Sequence, residues 1–188
     1  MVLRESDSEL DRGASAPDFA LTGTDGETYS LDSFADHDAL LVVFTCNHCP
    51  YAKAKFAFLN ELAADYDDCA VVGINPNANP EYPDDDFDSM VALVDDGTIA
   101  YDAYLYDETQ DVARAYGAVC TPDPFLFARD GDEWTLAYHG RLDDALDPET
   151  EPTEFYAREA IESVLAGDRV DLPDRPSRGC SIKWVDDE

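Results

Sequence analysis

Two cysteines separated by two residues, Cys46 and Cys49, are the part of this sequence best suited to chemistry. The spacing brings the second sulfur within reach of the first, and such a pair in an intracellular chain indicates a redox-active dithiol. The pair follows the apolar run Leu40–Phe44 and precedes a predicted helix. Because a helix N-terminus stabilises negative charge, this position favours the nucleophilic thiolate. The segment therefore predicts thiol–disulfide chemistry.

Zinc binding and a purely structural disulfide are the other interpretations of the pair. A structural zinc site usually needs four ligands from two such pairs, and the other cysteines, Cys69, Cys120 and Cys180, are single and scattered. A structural disulfide would gain little from closing so short a loop. We therefore favour redox chemistry, with no metal and no organic cofactor, because the dithiol itself carries the electrons.

The composition indicates one globular domain with an extreme negative charge. The 188 residues include 43 Asp and Glu against 12 Lys and Arg, a formal net charge of −31. So much negative charge argues against nucleic acid and anionic membrane as partners. It also repels itself, so salt should stabilise the fold by screening. This composition resembles that of proteins from salt-accumulating halophiles.

The location predicted from the sequence is the cytoplasm. The first residues lack the basic segment and the apolar core of a signal peptide, and no apolar stretch is long enough to span a bilayer. Five cysteines without a regular spacing are not the disulfide framework of a secreted domain.

Two buried strands and the helix between them must position the dithiol. The apolar runs Leu40–Phe44 and 70–74 predict strands covered on both faces. Apolar residues at three- and four-residue spacing predict a helix over 50–66, which makes the two strands a parallel pair. The loop 75–83 follows the second strand, at the end where open α/β folds place their sites.

The rest of the pattern completes an α/β fold in one domain, 1–188. The Asp25–Gly26 turn predicts an N-terminal hairpin. The residues 1–13 are predicted to be a flexible arm, and 167–188 an irregular tail. Further helices are predicted over 84–94, 109–116 and 154–165, and further strands over 102–106, 125–127 and 134–139.

Several stretches together carry a resemblance to a known family, from about Ala16 to Trp184. They are Phe44-Thr45-Cys46-Asn47-His48-Cys49-Pro50-Tyr51, Gly73-Ile74-Asn75-Pro76-Asn77, Tyr106-Asp107-Glu108-Thr109-Gln110, Tyr116-Gly117-Ala118-Val119-Cys120-Thr121-Pro122-Asp123, Gly140-Arg141-Leu142-Asp143-Asp144 and Gly179-Cys180-Ser181-Ile182-Lys183-Trp184. The chain resembles the peroxiredoxin-like proteins of the thioredoxin family. The resemblance implies a thioredoxin fold, with a central mixed β-sheet flanked by helices and an N-terminal β-hairpin of the redoxin type.

We assign Cys46 as the attacking thiolate and Cys49 as the resolving thiol of a thiol–disulfide oxidoreductase. Cys46 would be the more exposed thiol at the helix N-terminus, and Cys49 would close a Cys46–Cys49 bridge and release the reduced product. His48, inside the pair, would either lower the pKa of the thiol or be a solvated loop residue without that role. Thr45, adjacent to Cys46, is counted with the supporting residues.

The resemblance also places a cis-proline beside the dithiol, at Thr121–Pro122. X-Pro bonds are the ones that adopt the cis form at low cost. There the turn would expose a backbone edge that could pair with an extended peptide substrate. The expected partners are protein or small-molecule disulfides, peroxides in the alternative reaction, and a thiol reductant such as thioredoxin.

Two further cysteines leave the number of active thiols open. Cys120 immediately precedes Thr121–Pro122, so it is either an alternative bridging partner of the dithiol or a small buried apolar residue. Cys180 lies in the tail and could fold back as another resolving thiol if it reaches disulfide geometry. Cys69, at the start of a core strand, is expected to be inert.

A thiol peroxidase is the second function that the resemblance suggests. Peroxiredoxins carry Pro-x-x-x-Thr/Ser-x-x-Cys, in which the hydroxyl and an arginine hold the peroxide. Here Cys46 stands three residues before Cys49, and Val43 three residues before Cys46, so neither cysteine has the hydroxyl. Arg141 is a candidate anion holder.

A copper(I) chaperone is the third alternative. Thiolates with an imidazole favour Cu(I), and copper-delivery proteins on this fold resemble Cys-x-x-x-Cys-Pro plus a distant histidine. In this chain the spacing is one residue shorter, although Pro50 follows the pair and His139 is available. The copper hypothesis therefore requires His139 to lie beside Cys46 and Cys49.

Overall fold

A seven-stranded mixed β-sheet forms the centre of the computed structural model, which describes residues 2–185. Met1 of the predicted arm and 186–188 of the predicted tail lie outside the described residues. The strands are β1 (Leu3–Glu5), β2 (Leu21–Gly23), β3 (Thr28–Tyr29), β4 (Ala39–Phe44), β5 (Cys69–Asn75), β6 (Ala103–Tyr106), β7 (Cys120–Thr121), β8 (Asp123–Asp130), β9 (Glu133–His139) and β10 (Arg178–Ser181). The helices are α1 (Pro50–Lys53), α2 (Phe56–Asp65), α3 (Phe87–Asp95), α4 (Asp111–Tyr116) and α5 (Tyr156–Leu165), with single 3-10 turns at Leu31–Phe34 and Pro83–Asp85.

The strand order of the central sheet is β3-β2-β6-β5-β4-β8-β9. The strands β4, β5 and β6 are parallel, whereas β8 and β9 add to β4 as an antiparallel hairpin and β2 and β3 form the N-terminal hairpin. The predicted fold class, a thioredoxin fold with a redoxin-type hairpin, is confirmed.

Side chains of β4 alternate between two apolar layers, which explains its uninterrupted apolar sequence. Val42 and Phe44 pack in the layer that contains Tyr116 of α4. Leu41 and Val43 pack in the opposite layer, against α2 and α5. Burial on both faces makes β4 a rigid support for the loop that follows it.

The predicted helix over 50–66 is interrupted, with α1 ending at Lys53 and α2 beginning at Phe56. At the interruption the Lys55 N–H bonds to the carbonyl of Ala52, a tighter turn than the α-helix makes. The Lys55 ammonium donates to both carboxylate oxygens of Asp143, at 2.7 and 2.6 Å. Apolar spacing continues through the break, so the sequence pattern could not show it.

The arm 1–13 and the tail 167–188, predicted to be flexible and irregular, each contribute a strand, and those predictions were wrong for 3–5 and 178–181. A second sheet has the order β1-β10-β7, all antiparallel. Ser6 and Ser177 fasten the two ends together: Ser6 N–H donates to the Ser177 carbonyl at 2.8 Å, and Ser177 N–H donates to Ser6 Oγ at 2.9 Å. Pairing between opposite ends of a chain leaves no local signal in the sequence.

We expect the fold to be more stable in high salt. A net charge of −31 repels itself, and 2 M KCl shortens the screening length to a few ångström. The thermal midpoint should rise by roughly 10 °C between 0.1 and 2 M KCl, equivalent to about 2.5–5 kcal/mol for a domain of this size. Differential scanning calorimetry measures this shift, and an unchanged or lower midpoint would contradict the expectation.

None of the helices in the described part of the chain has the length and hydrophobicity needed to cross a bilayer.

Candidate active site

The two motif cysteines lie in the loop between β4 and α1, and both are fully buried. Pro50 occupies the first turn of α1, where its missing N–H is not needed, so Cys49 is the N-cap. Cys46 lies three residues earlier, in an apolar cluster with Met90 and Ile99. The prediction that Cys46 is the exposed thiol at the helix N-terminus was therefore wrong, because the proline starts the helix at residue 50.

The disulfide in the structure joins Cys49 to Cys180, with the two Cα atoms 6.4 Å apart, within the usual disulfide range. Cys46 is a free thiol. The expected Cys46–Cys49 bridge is thus absent from this state, and the tail cysteine has taken its place. Cys120 and Cys69 are free and buried.

A single residue, Thr121, contacts both motif sulfurs. A hydrogen bond of 3.3 Å joins Cys46 Sγ and Thr121 Oγ1, and Cys49 Sγ lies 3.7 Å from the Thr121 carbonyl oxygen. The Thr121–Pro122 peptide bond is cis, as predicted. The loop after β4 and the turn before β8 therefore meet at the sulfurs.

The backbone edge beside the cis-proline is occupied by the chain's own strand β10. Cys180 pairs with Thr121 and Ser181 pairs with Cys120. A Cβ on Gly179 would lie 1.9 Å from the Thr121 carbonyl oxygen, so only glycine allows this close approach. The expectation that this edge is open to an extended peptide was wrong, because the tail returns to cover it.

A buried carboxylate, Asp85, organises the motif from the loop after β5. It accepts hydrogen bonds from the backbone N–H groups of Asn47 (2.7 Å) and His48 (3.0 Å) and from Asn77 Nδ2 (2.9 Å), and it contacts Nδ1 of His48. Sequence reasoning missed Asp85, since one acid among 43 carries no signal. The sequence did contain one indication of its role: Asp85 comes directly after the loop 75–83, where a site was expected.

The pKa of Cys46 is raised to about 12 in this state, first by burial and then by the negative charge of Asp85. The hydrogen bond to the Thr121 hydroxyl lowers the pKa of Cys46, but by less than burial and Asp85 raise it. His48 lowers this pKa through its backbone N–H, but burial and Asp85 outweigh it, and the His48 imidazole contacts the Asp85 carboxylate. Lys183 brings a positive charge that interacts with both Cys46 and Asp85, while burial lowers the pKa of the lysine itself.

We expect alkylation of Cys46 in the Cys49–Cys180 state to rise about tenfold per pH unit between pH 7 and 10. Only the thiolate reacts, and its fraction increases with pH as long as pH stays below the raised pKa. Asp85→Asn removes the neighbouring charge, so its profile should move to lower pH. Iodoacetamide rates followed by mass spectrometry measure both profiles, and a plateau below pH 8 in the unaltered protein would contradict them.

Thr45, a predicted supporting residue, and Arg141, the candidate anion holder, do not contact the sulfurs through any hydrogen bond of the described residues. Thr45 Oγ1 is buried and has no hydrogen-bond partner within the described residues. Arg141 Nε donates to the carbonyl of Pro176 at 2.9 Å and so holds the tail.

A cleft of about 690 Å³ opens beside the motif and is lined partly by His48 and Phe56. His48 is partly exposed and lines this cleft, whereas Cys46 and Cys49 are buried and do not line it.

Within residues 2–185, one group of three potential metal ligands has its ligand atoms within 4.8 Å of one another: Cys46, His48 and Asp85. His139 is not in the group, and its Nε2 lies 2.7 Å from a carboxylate oxygen of buried Asp123. The ligand set required by the copper hypothesis therefore does not come together.

Comparison with known proteins places the chain among redox proteins of this fold. The AhpC/TSA family profile matches residues 12–133, more than half of the chain. No curated protein matches the sequence significantly.

Two solved structures are similar over nearly the whole chain. An uncharacterized conserved protein from Geobacillus kaustophilus is 38% identical, with a TM-score of 0.89, 98% of this chain and 97% of that one covered. A hypothetical protein from Sinorhizobium meliloti 1021 is 38% identical, with a TM-score of 0.88 and coverages of 96% and 97%. A peroxidoxin, BcpB, from Mycobacterium tuberculosis shares the fold at 18% identity, with a TM-score of 0.59 and coverages of 84% and 98%.

Proposed function

The chain belongs to the AhpC/TSA family and is an oxidoreductase, and we propose that it catalyses thiol–disulfide exchange with Cys46 and Cys49 as its dithiol. The observation that carries the proposal is the contact of Thr121, beside the cis-proline, with both sulfurs. A disulfide that already involves one of the two sulfurs supports the same chemistry.

In the proposed reaction the reduced protein transfers two electrons to a substrate disulfide. The Cys46 thiolate attacks one substrate sulfur, the substrate S–S bond breaks, and the first thiolate leaves. The Cys49 thiolate then attacks the Cys46 sulfur, which closes the Cys46–Cys49 bridge and releases the second thiolate. Both released thiolates take up protons, so one substrate disulfide becomes two thiols.

His48 and Asp85 supply the base that a buried Cys46 requires. A ring nitrogen of His48, a carboxylate oxygen of Asp85 and Cys46 Sγ lie within 4.8 Å of one another. A nucleophile beside a base that a third group orients is a common arrangement in covalent catalysis. We assign His48 as the proton acceptor of Cys46 and Asp85 as the residue that positions the imidazole.

Small-molecule disulfides are the proposed substrates, because β10 covers the backbone edge at which an extended peptide would pair. With β10 paired to β7, an extended peptide finds no free strand there, and we propose the cleft beside His48 as the approach for a small substrate. Protein disulfides would react where a loop fits this cleft. A thiol such as thioredoxin is proposed as the reductant, and the cytoplasm as the location.

A thiol peroxidase centred on Cys49 is the second candidate, favoured by the bond between Cys49 and a distant cysteine. Peroxide would oxidise the Cys49 thiolate to a sulfenic acid with release of hydroxide. The Cys180 thiol would then displace water and form the observed disulfide. The absence of a hydroxyl residue three positions before Cys49 weighs against this reaction.

Single-turnover kinetics separate the two candidates. Fully reduced protein in 2 M KCl is mixed with oxidised glutathione or with hydrogen peroxide, and thiol loss is followed for the unaltered chain, Cys46→Ser and Cys49→Ser. The exchange reaction is supported if the unaltered chain reacts fast with oxidised glutathione and Cys46→Ser does not. Fast peroxide consumption that survives Cys46→Ser but not Cys49→Ser would contradict it and support the peroxidase.

A further inference from the structure

We infer that Cys180 is a third redox-active thiol, which receives the disulfide from the Cys46–Cys49 pair while β10 occupies the cis-proline edge as an internal substrate strand. The inference rests on the proposed function and extends it by one step. It is carried by the Cys49–Cys180 bond together with the pairing of β10 on β7.

The tail is held in this position by contacts on both sides of Cys180. Before it, Ser177 Oγ donates to the Pro122 carbonyl at 2.6 Å, and Gly179 lies directly against Thr121. After it, the backbone N–H of Lys183 donates to Asn77 Oδ1 at 3.0 Å. None of these contacts depends on the disulfide, so we expect them to hold the Cys180 sulfur beside Cys49 in the reduced protein as well.

Strand β1 closes the arrangement from the outside. Leu3 pairs with Cys180 and Arg4 pairs with Gly179, so β10 has a partner strand along both edges. A peptide substrate bound at a cis-proline edge would have one neighbouring strand, on the enzyme side. Cys180 is thus built into the sheet as a resident thiol that needs no large movement to reach the dithiol.

The step itself requires no external oxidant. The Cys180 thiolate attacks Cys49 Sγ in the Cys46–Cys49 bridge, the bond between Cys46 and Cys49 breaks, and a Cys49–Cys180 bond forms. Cys46 leaves as a thiolate and takes up a proton, so one disulfide replaces another. Burial and the negative charge of Asp85 raise the pKa of Cys46 in the Cys49–Cys180 state, which favours the protonated thiol once the bond has moved.

Disulfide mapping after a single turnover tests the relay. Reduced protein is treated with one equivalent of oxidised glutathione, quenched with N-ethylmaleimide at successive times and digested for mass spectrometry. We expect the unaltered chain to show Cys46–Cys49 early and Cys49–Cys180 at the end, with Cys46 alkylated. Cys180→Ser and Cys180→Ala should stop at Cys46–Cys49, and Cys120→Ser, a buried cysteine on the adjacent strand, should behave as the unaltered chain does.

Three results would overturn the inference. If the unaltered chain reacts but ends at Cys46–Cys49 with Cys180 alkylated, the relay is wrong and the proposed exchange reaction stands. If Cys46→Ser forms the Cys49–Cys180 bridge with glutathione as fast as the unaltered chain, or if the unaltered chain does not react, both proposals fail. Circular dichroism of each variant in 2 M KCl establishes that the fold is retained.

Discussion

Replacement of Cys46 by serine is expected to lower the single-turnover rate of disulfide reduction by roughly 10³-fold or more, as loss of a catalytic nucleophile does. A serine hydroxyl does not form a disulfide, so the first covalent step is lost. Stopped-flow release of thiolate from a chromogenic aromatic disulfide measures the rate.

The matched control for this variant is Cys69→Ser, a second buried free cysteine, located at the start of β5 in the apolar layer that contains α2 and α5. Its rate should stay within about twofold of the unaltered chain, after any unfolded fraction is subtracted. Equal losses in the two variants would mean that burial of a hydroxyl, rather than loss of the nucleophile, causes the effect, and would contradict the role given to Cys46.

Gly179→Ala should displace β10 and prevent formation of the Cys49–Cys180 bridge. The new Cβ would lie 1.9 Å from the Thr121 carbonyl oxygen, a backbone atom beside the cis-proline that cannot rotate away. Overpacking of this kind costs about 1–3 kcal/mol in the free energy of unfolding. Chemical denaturation of the reduced protein measures that loss, and disulfide mapping measures the bridge.

Arg178→Ala is the control for the glycine variant, because Arg178 is exposed on the same strand. It should change the free energy of unfolding by less than about 0.5 kcal/mol and should leave the bridge intact. If Gly179→Ala forms the Cys49–Cys180 bridge as completely as Arg178→Ala does, the strand is not held by the close contact with Thr121.

Local sequence patterns predicted the parts of the fold that depend on neighbouring residues. The apolar run Leu40–Phe44 predicted the central strand because burial on both faces leaves a continuous signature. The Asp25–Gly26 turn predicted the N-terminal hairpin. The resemblance to a known family placed the cis bond at Pro122, which periodicity cannot indicate.

The features that the sequence did not reveal depend on residues far apart in the chain. Cys49 and Cys180 are 131 residues apart, so their pairing follows from the return of the tail to the cis-proline. Asp85 acts on Cys46 across a loop, and its charge together with burial reversed the predicted shift in the pKa of the thiol. The Cys-x-x-Cys motif contains His48 but not Asp85, the carboxylate that contacts the imidazole.

The measurement that tests the central claim most directly is capture of the mixed disulfide in the double variant Cys49→Ser/Cys180→Ser. The variant leaves Cys46 without either resolving thiol, so reduced protein mixed with oxidised glutathione should accumulate glutathione on Cys46 in a stoichiometric, reductant-sensitive adduct. Peptide mapping locates it. Two results would contradict Cys46 as the nucleophile of thiol–disulfide exchange. One is an adduct on Cys69 or Cys120 with Cys46 unmodified, and the other is the absence of any adduct in a protein that is still folded.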